Sequence, residues 1–141
     1  MKVIPYTPEH LKLLDLQQGQ SEFRVYLGSD KYAQWLADVG PAYSGFVGDE
    51  MIACAGFVPQ HENRAIVWAL VGSNAAKHFL AIHRAVLKAL NAHPYRRVET
   101  VVKTGFAEGA RWAEMLGMQY EGTMRKHGLN GEDFDLYARV Q

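Results

Sequence analysis

The run Ala65-Ile66-Val67-Trp68-Ala69-Leu70-Val71-Gly72-Ser73-Asn74-Ala75-Ala76-Lys77 holds the turning point of this chain. Its first seven residues carry no charged or amide side chain, the mark of a central strand buried on both faces. Gly72-Ser73-Asn74 then breaks the strand and supplies two residue types favoured at helix N-caps. From about Ala75 to Ala92 the spacing is helical. At ~100° per residue Phe79, Leu80, Ile82, His83, Val86, Leu87 and Leu90 share one arc, while Lys77, Ala81, Arg84 and Lys88 lie opposite. Val98 to Lys103 reads as the next strand. Strand, helix and strand in this order predict a parallel crossover.

Upstream, Val3-Ile4-Pro5-Tyr6 reads as an edge strand, where proline is tolerated. Thr7-Pro8 opens a helix that uses Leu11, Leu13, Leu14 and Leu16 and closes at Gly19. A second helix starts at Ser29-Asp30, passes Tyr32, Trp35 and Leu36, and stops at Gly40-Pro41. Tyr43–Val47 and Met51–Val58 flank Gly48-Asp49-Glu50 as a hairpin. Downstream, Ala107 to Leu116 is helical with Gly117 as its stop. Gln119 to Arg125 and Phe134 to Val140 are strands around a loop that holds the turn dipeptide Asn130-Gly131. The predicted order is β-α-α-β-β-β-α-β-α-β-β. That is an α/β protein with a mixed, mainly antiparallel sheet and flanking helices, in one domain spanning 1–141.

Composition narrows the class. The 141 residues carry 15 Lys+Arg against 15 Asp+Glu, one Cys, and 48% hydrophobic residues. One cysteine excludes an internal disulfide framework and makes the reducing cytoplasm the expected compartment. No leader-like apolar segment opens the chain, and no run approaches the ~18 apolar residues of a membrane span. Zero net charge argues against a nucleic-acid binder. The zero is nevertheless a sum: residues 1–70 carry −3 and residues 71–141 carry +3, with no acid between Glu62 and Glu99. Such a stretch suits one small polyanion. A basic helix face paired with acids elsewhere would read the same way.

The element order, and above all the C-terminal third, resembles the GNAT superfamily of N-acetyltransferases. The likeness is carried by Ala107-Glu108-Gly109-Ala110-Arg111-Trp112-Ala113-Glu114-Met115-Leu116-Gly117-Met118 and by Tyr120-Glu121-Gly122-Thr123-Met124-Arg125. These are similar to the helix, glycine turn and Glu-Gly-x-x-Arg strand of the ribosomal-protein N-acetyltransferase branch. Gly131, Asp135 and Tyr137 resemble that branch's last hairpin. The resemblance implies transfer of an acetyl group from acetyl-CoA to an amine by direct attack in a ternary complex, the acceptor being a small amine or a protein. It also implies that the pantetheine arm lies along the fourth strand. The pyrophosphate would then rest on the backbone N–H groups of Gly72, Ser73, Asn74, Ala75, Ala76 and Lys77, near Leu70 and Val71. Helix N-terminal donors and the dipole make such a place an anion site. A backbone N–H near Leu70–Gly72 would polarise the thioester carbonyl. Phe106 stands where the family places a CoA-contacting Asn, and Ala113 where many members carry a Tyr acid. The loop also lacks the family's leading Gln/Arg and its paired small residues. The short loop on this fold is similar to small virion-associated proteins of podoviruses, which implies instead a non-catalytic module for assembly in a phage particle. A homodimer fits either reading.

No catalytic residue is assigned. The strand at 65–71 has no carboxylate, and His61, Glu62 and Tyr137 match no motif for the general base that amine acetylation needs within hydrogen-bond reach. His78 and His83 are five apart, off the spacing that puts two metal ligands on one helix face, and no metal is expected. His83 is expected as a hydrogen-bonded core histidine and Cys54 as a small hydrophobe. Trp35, Trp68 and Trp112 are expected in the core. Gly72-Ser73-Asn74 has a plain alternative reading as strand exit and helix cap.

Overall fold

Runs of apolar and small residues, such as Met51–Phe57 and Ala65–Val71, form the inner strands of the sheet. The computed structural model describes residues 1–141, as β1 (Lys2–Pro5), α1 (Pro8–Leu11), a 3-10 segment (Gln18–Phe23), α2 (Arg24–Leu27), α3 (Asp30–Val39), β2 (Ala42–Val47), β3 (Glu50–His61) and β4 (Arg64–Val71). A 3-10 turn (Ala76–His78) then leads into α4 (Phe79–Ala92), β5 (Arg97–Lys103), α5 (Ala107–Met115), β6 (Gln119–Met124) and β7 (Phe134–Val140). The sheet has seven strands in the order β1-β2-β3-β4-β5-β7-β6. β4 and β5 form its parallel pair, through Arg64–Ile66 alone, while β5, β7 and β6 are antiparallel neighbours. This is the mixed, mainly antiparallel α/β architecture expected. No helix is long and apolar enough to cross a membrane.

The residues gather into two compact units, Met1–Val58 with Trp68–His93, and Pro59–Val67 with Pro94–Gln141. In the first, Tyr6, Leu11, Leu14, Leu16, Ala33, Leu36, Met51, Cys54 and Leu70 form the core. α3 starts as its sequence predicts, with Ser29 accepting the Tyr32 N–H at 3.2 Å. It buries Ala33 and Leu36, one turn apart on the inner face, so Trp35 points outward and is 47% exposed. Trp35 is therefore not a core residue. The first helix is also shorter than expected. It makes one turn, after which Leu13 is exposed while Leu14 and Leu16 turn inward. The leucine spacing marks burial in an irregular segment, not a helix to Gly19.

The second unit is held by β5. Its Glu99, 8% exposed, accepts from Arg64 Nη2 at 2.5 Å and from Arg97 Nε at 2.6 Å, and Arg97 also grips Glu121. The Arg64 hydrogen bond, more than that of Arg97, holds the Glu99 carboxyl below the ordinary range against the opposing effect of burial. A carboxyl depressed in the folded state is protonated first in the unfolded chain as pH falls. Its pairs therefore stabilise the fold above roughly pH 4–5, and that contribution disappears as pH drops through the folded value. Glu99→Gln should lower the melting temperature at about pH 7 and lower it by less at about pH 3, as the contribution of the wild-type pairs is lost. Thermal melts at both pH values check this, and an equal loss at both would assign Glu99 a packing role only.

Candidate functional site at the outer edge of β4

A strand has two hydrogen-bonding edges, and its residues address them alternately. At the end of β4 the N–H of Gly72 donates to Ile52 O of β3 at 2.8 Å. Ala69, Val71 and Ser73 therefore present their groups to the other edge, along which Arg64–Ile66 pair with β5. That outer edge is occupied by the chain's own residues 15–20. Gln17 N donates to Val71 O at 2.9 Å and Ser73 N to Asp15 O at 2.7 Å, with Leu16 facing Gly72 as the antiparallel pair between them. The Gln20 carboxamide extends the ladder by one rung. Its Nε2 donates to Ala69 O at 2.7 Å, and its Oε1 accepts from Val71 N at 3.0 Å and from Gln17 Nε2 at 3.0 Å. Arg24 Nη2 donates to Leu16 O at 2.9 Å, and the Leu16 side chain is 1% exposed in the core.

The loop beyond is closed in the same manner. Ala75 N donates to Gly72 O at 3.2 Å and His78 N to Ala75 O at 2.8 Å. Ser73 Oγ donates to Asp15 Oδ2 at 2.5 Å, and Asn74 Nδ2 donates to Glu50 Oε1. With these side chains turned to carboxylates, neither caps a helix. The 3-10 turn at Ala76–His78 and α4 both start without a side-chain cap. The α-helix consequently begins at Phe79 rather than near Ala75, and the plain capping reading of Ser73 and Asn74 fails. Asn74 Oδ1 is buried without a partner.

Among the residues singled out from sequence, Leu70–Lys77 lie in the first unit and Phe106 in the second. Leu70, Val71, Gly72 and Ala75 are buried, while Ser73, Ala76 and Lys77 are exposed. Leu70 shares the parity of Gly72 and addresses β3, and the Val71 and Gly72 N–H groups are both engaged. Phe106 precedes α5 and packs its ring over Gly109, where an added Cβ would meet Phe106 Cδ2 at 2.7 Å and Val102 Cγ1 at 2.9 Å. Sequence reasoning missed Asp15, Gln17, Gln20 and Glu50. The three glutamines at 17, 18 and 20, beside a glycine in a would-be helix, were the available signal.

The remaining candidates have ordinary roles. Burial pushes the Cys54 thiol up to about 12, which makes it a hydrophobe and not a nucleophile. His83 is half-buried and stacks on Phe79 with ring centroids 6.2 Å apart. His61 accepts the Asn63 N–H at 3.2 Å in the exposed β3–β4 turn, where Glu62 also lies. Tyr137 is buried, and burial raises its phenol above the usual range. Ion pairs of the chain include Lys12–Asp30, Arg64–Glu99, Arg97–Glu99 and Arg97–Glu121. Lys77, Arg84 and Lys88 are exposed and take part in none of these, so the basic stripe of α4 faces water.

No protein-family profile matches the sequence, and no curated protein matches it either. Solved structures do match in fold. A ribosomal-protein-alanine N-acetyltransferase from Brucella melitensis superposes with a TM-score of 0.75 at 14% identity, covering 100% of both chains. An N-acetyltransferase from Staphylococcus aureus gives 0.76 at 11% identity over 99% of this chain and 96% of that one. An acetyltransferase of the GNAT family from Streptococcus pneumoniae gives 0.65 at 12% identity over 99% and 98%. The fold is that of the GNAT N-acetyltransferases, as the C-terminal motifs implied.

Proposed function

We propose that this protein uses the GNAT fold without acyl-CoA, as a non-catalytic module for protein assembly. One observation carries the reading: the loop after β4 has spent the N–H groups of Gly72, Ser73 and Ala75 on the protein itself. The N–H groups of Gly72, Ser73 and Ala75 donate to Ile52, Asp15 and Gly72 carbonyls, and the carboxylates of Asp15 and Glu50 hold Ser73 and Asn74. A pyrophosphate laid there would find three of the backbone donors taken and two carboxylates beside it, against the single exposed cation of Lys77. The residues present do not fit the cofactor.

Calorimetry tests this directly. Wild-type protein titrated with CoA or acetyl-CoA to about 1 mM should give no heat of binding, and a saturable isotherm in the micromolar range would overturn the reading. The second reading, acetyl transfer to an amine acceptor by direct attack, is favoured by the full-length match to N-acetyltransferase structures. It requires that isotherm, and CoA release when amines are supplied. The setting implied by the sequence resemblance is a phage particle. Detection of this chain by mass spectrometry among the proteins of purified virions would support that setting, and its absence from them would count against it.

A further inference from the structure

We infer that residues 15–20 are a resident segment of the first unit, strand-like at Leu16, and not a lid: the Gln20 carboxamide stands in for a peptide group and closes the outer edge of β4 to any extended, amide-bearing ligand. This deepens the reading of the protein as one that takes up no acyl-CoA, and extends it from the loop to the strand edge.

From Ala69 O to Ser73 N the outer edge of β4 is paired without a gap. An open strand edge is a template for another amide chain, whether peptide or small molecule, because its N–H and C=O groups remain to be paired. Here Ala69 O, Val71 N, Val71 O and Ser73 N, successive positions along that edge, are all taken by one segment. Backbone groups fill two of them, and the primary amide of Gln20 fills the other two with one donor and one acceptor. That matches what a neighbouring peptide group would offer. Gln17 Nε2 fixes the orientation of the amide, since it donates to the same Gln20 oxygen that receives Val71 N–H. A lid would be held at its surface. This segment is held by a core leucine, Leu16, and by Arg24 on the Leu16 carbonyl.

Amide hydrogen exchange followed by NMR on the full chain separates a resident segment from a lid. In the wild type, Val71 and Ser73 should exchange only as slowly as the most protected amides of β3, because they open with the unit and not before it. In Gln20→Ala, Val71 should speed up at least about tenfold relative to Ser73, which keeps its Asp15 acceptor. A variant that merely weakened the fold would speed both amides equally. The same variant should still give no heat with CoA or with pantetheine, since Gln17 and Asp15 continue to hold the edge. Fast wild-type exchange at Val71, or equal acceleration of Val71 and Ser73 in Gln20→Ala, would overturn the resident segment. CoA binding by the wild type with Val71 still protected would instead overturn the proposed function and leave the resident segment standing.

Discussion

Leu16→Ala is expected to cost about 2–5 kcal/mol of folding stability, the range for truncating a buried leucine whose surroundings cannot collapse. Leu16 belongs to no regular helix, and a loop leucine in a surface connection would lose far less. Its side chain is 1% exposed, within the cluster that includes Leu11, Leu14, Leu36, Met51 and Leu70. Its backbone faces Gly72 in antiparallel pairing. Loss of the side chain therefore weakens both the core and the anchoring of the segment on β4. Urea unfolding followed by tryptophan fluorescence measures it. A loss below about 1 kcal/mol would show that residues 15–20 lie on the fold without being part of it.

Gly56→Ala should be nearly as damaging, about 2–3 kcal/mol, although it adds a single methyl group. Gly56 lies on β3 opposite Ala42 of β2. A Cβ built there would sit 2.7 Å from Pro41 O, 2.8 Å from Trp68 Cζ2 and 2.9 Å from Ala42 Cβ. None of the three can yield easily. Pro41 O accepts the Phe57 N–H at 2.9 Å, and the Trp68 ring is braced edge-on against Tyr6 with centroids 6.0 Å apart. Gly28→Ala is the control. It has φ −86 and nothing within 4 Å of its added Cβ, so it should change stability by no more than about 0.5 kcal/mol. Equal effects of the two substitutions in thermal or urea melts would refute the packing argument.

Strands and the main helix were legible because their signals are local. The unbroken apolar run at Ala65–Val71, the turn at Gly48-Asp49-Glu50 and the 3.6-residue arc through α4 each act within a few residues, and each element formed, with only the start of α4 displaced to Phe79. The segment from Leu11 to Gln20 was misread for the complementary reason. Leucines at 11, 14 and 16 satisfy a helix pattern, but they are buried by α3, β3 and β4, far away in sequence. Trp35 was misplaced because apolar character alone does not say which face of α3 turns inward.

The sequence by itself determined the class of this protein: an α/β chain with a crossover through α4, a C-terminal pair of strands of GNAT type, and an uncapped choice of roles for Gly72-Ser73-Asn74. Those properties follow from periodicity, turn residues and short motifs, which need no partner beyond their neighbours. Whether the loop and strand edge stand open was decided only by tertiary structure. Hydrogen-bond donors are generic backbone groups, identical in every sequence, and what they bind depends on which segment folding delivers to them. Here it delivers Asp15, Gln17 and Gln20 to β4, across about fifty residues of chain, and the Val71 and Ser73 N–H groups are spent inside the protein.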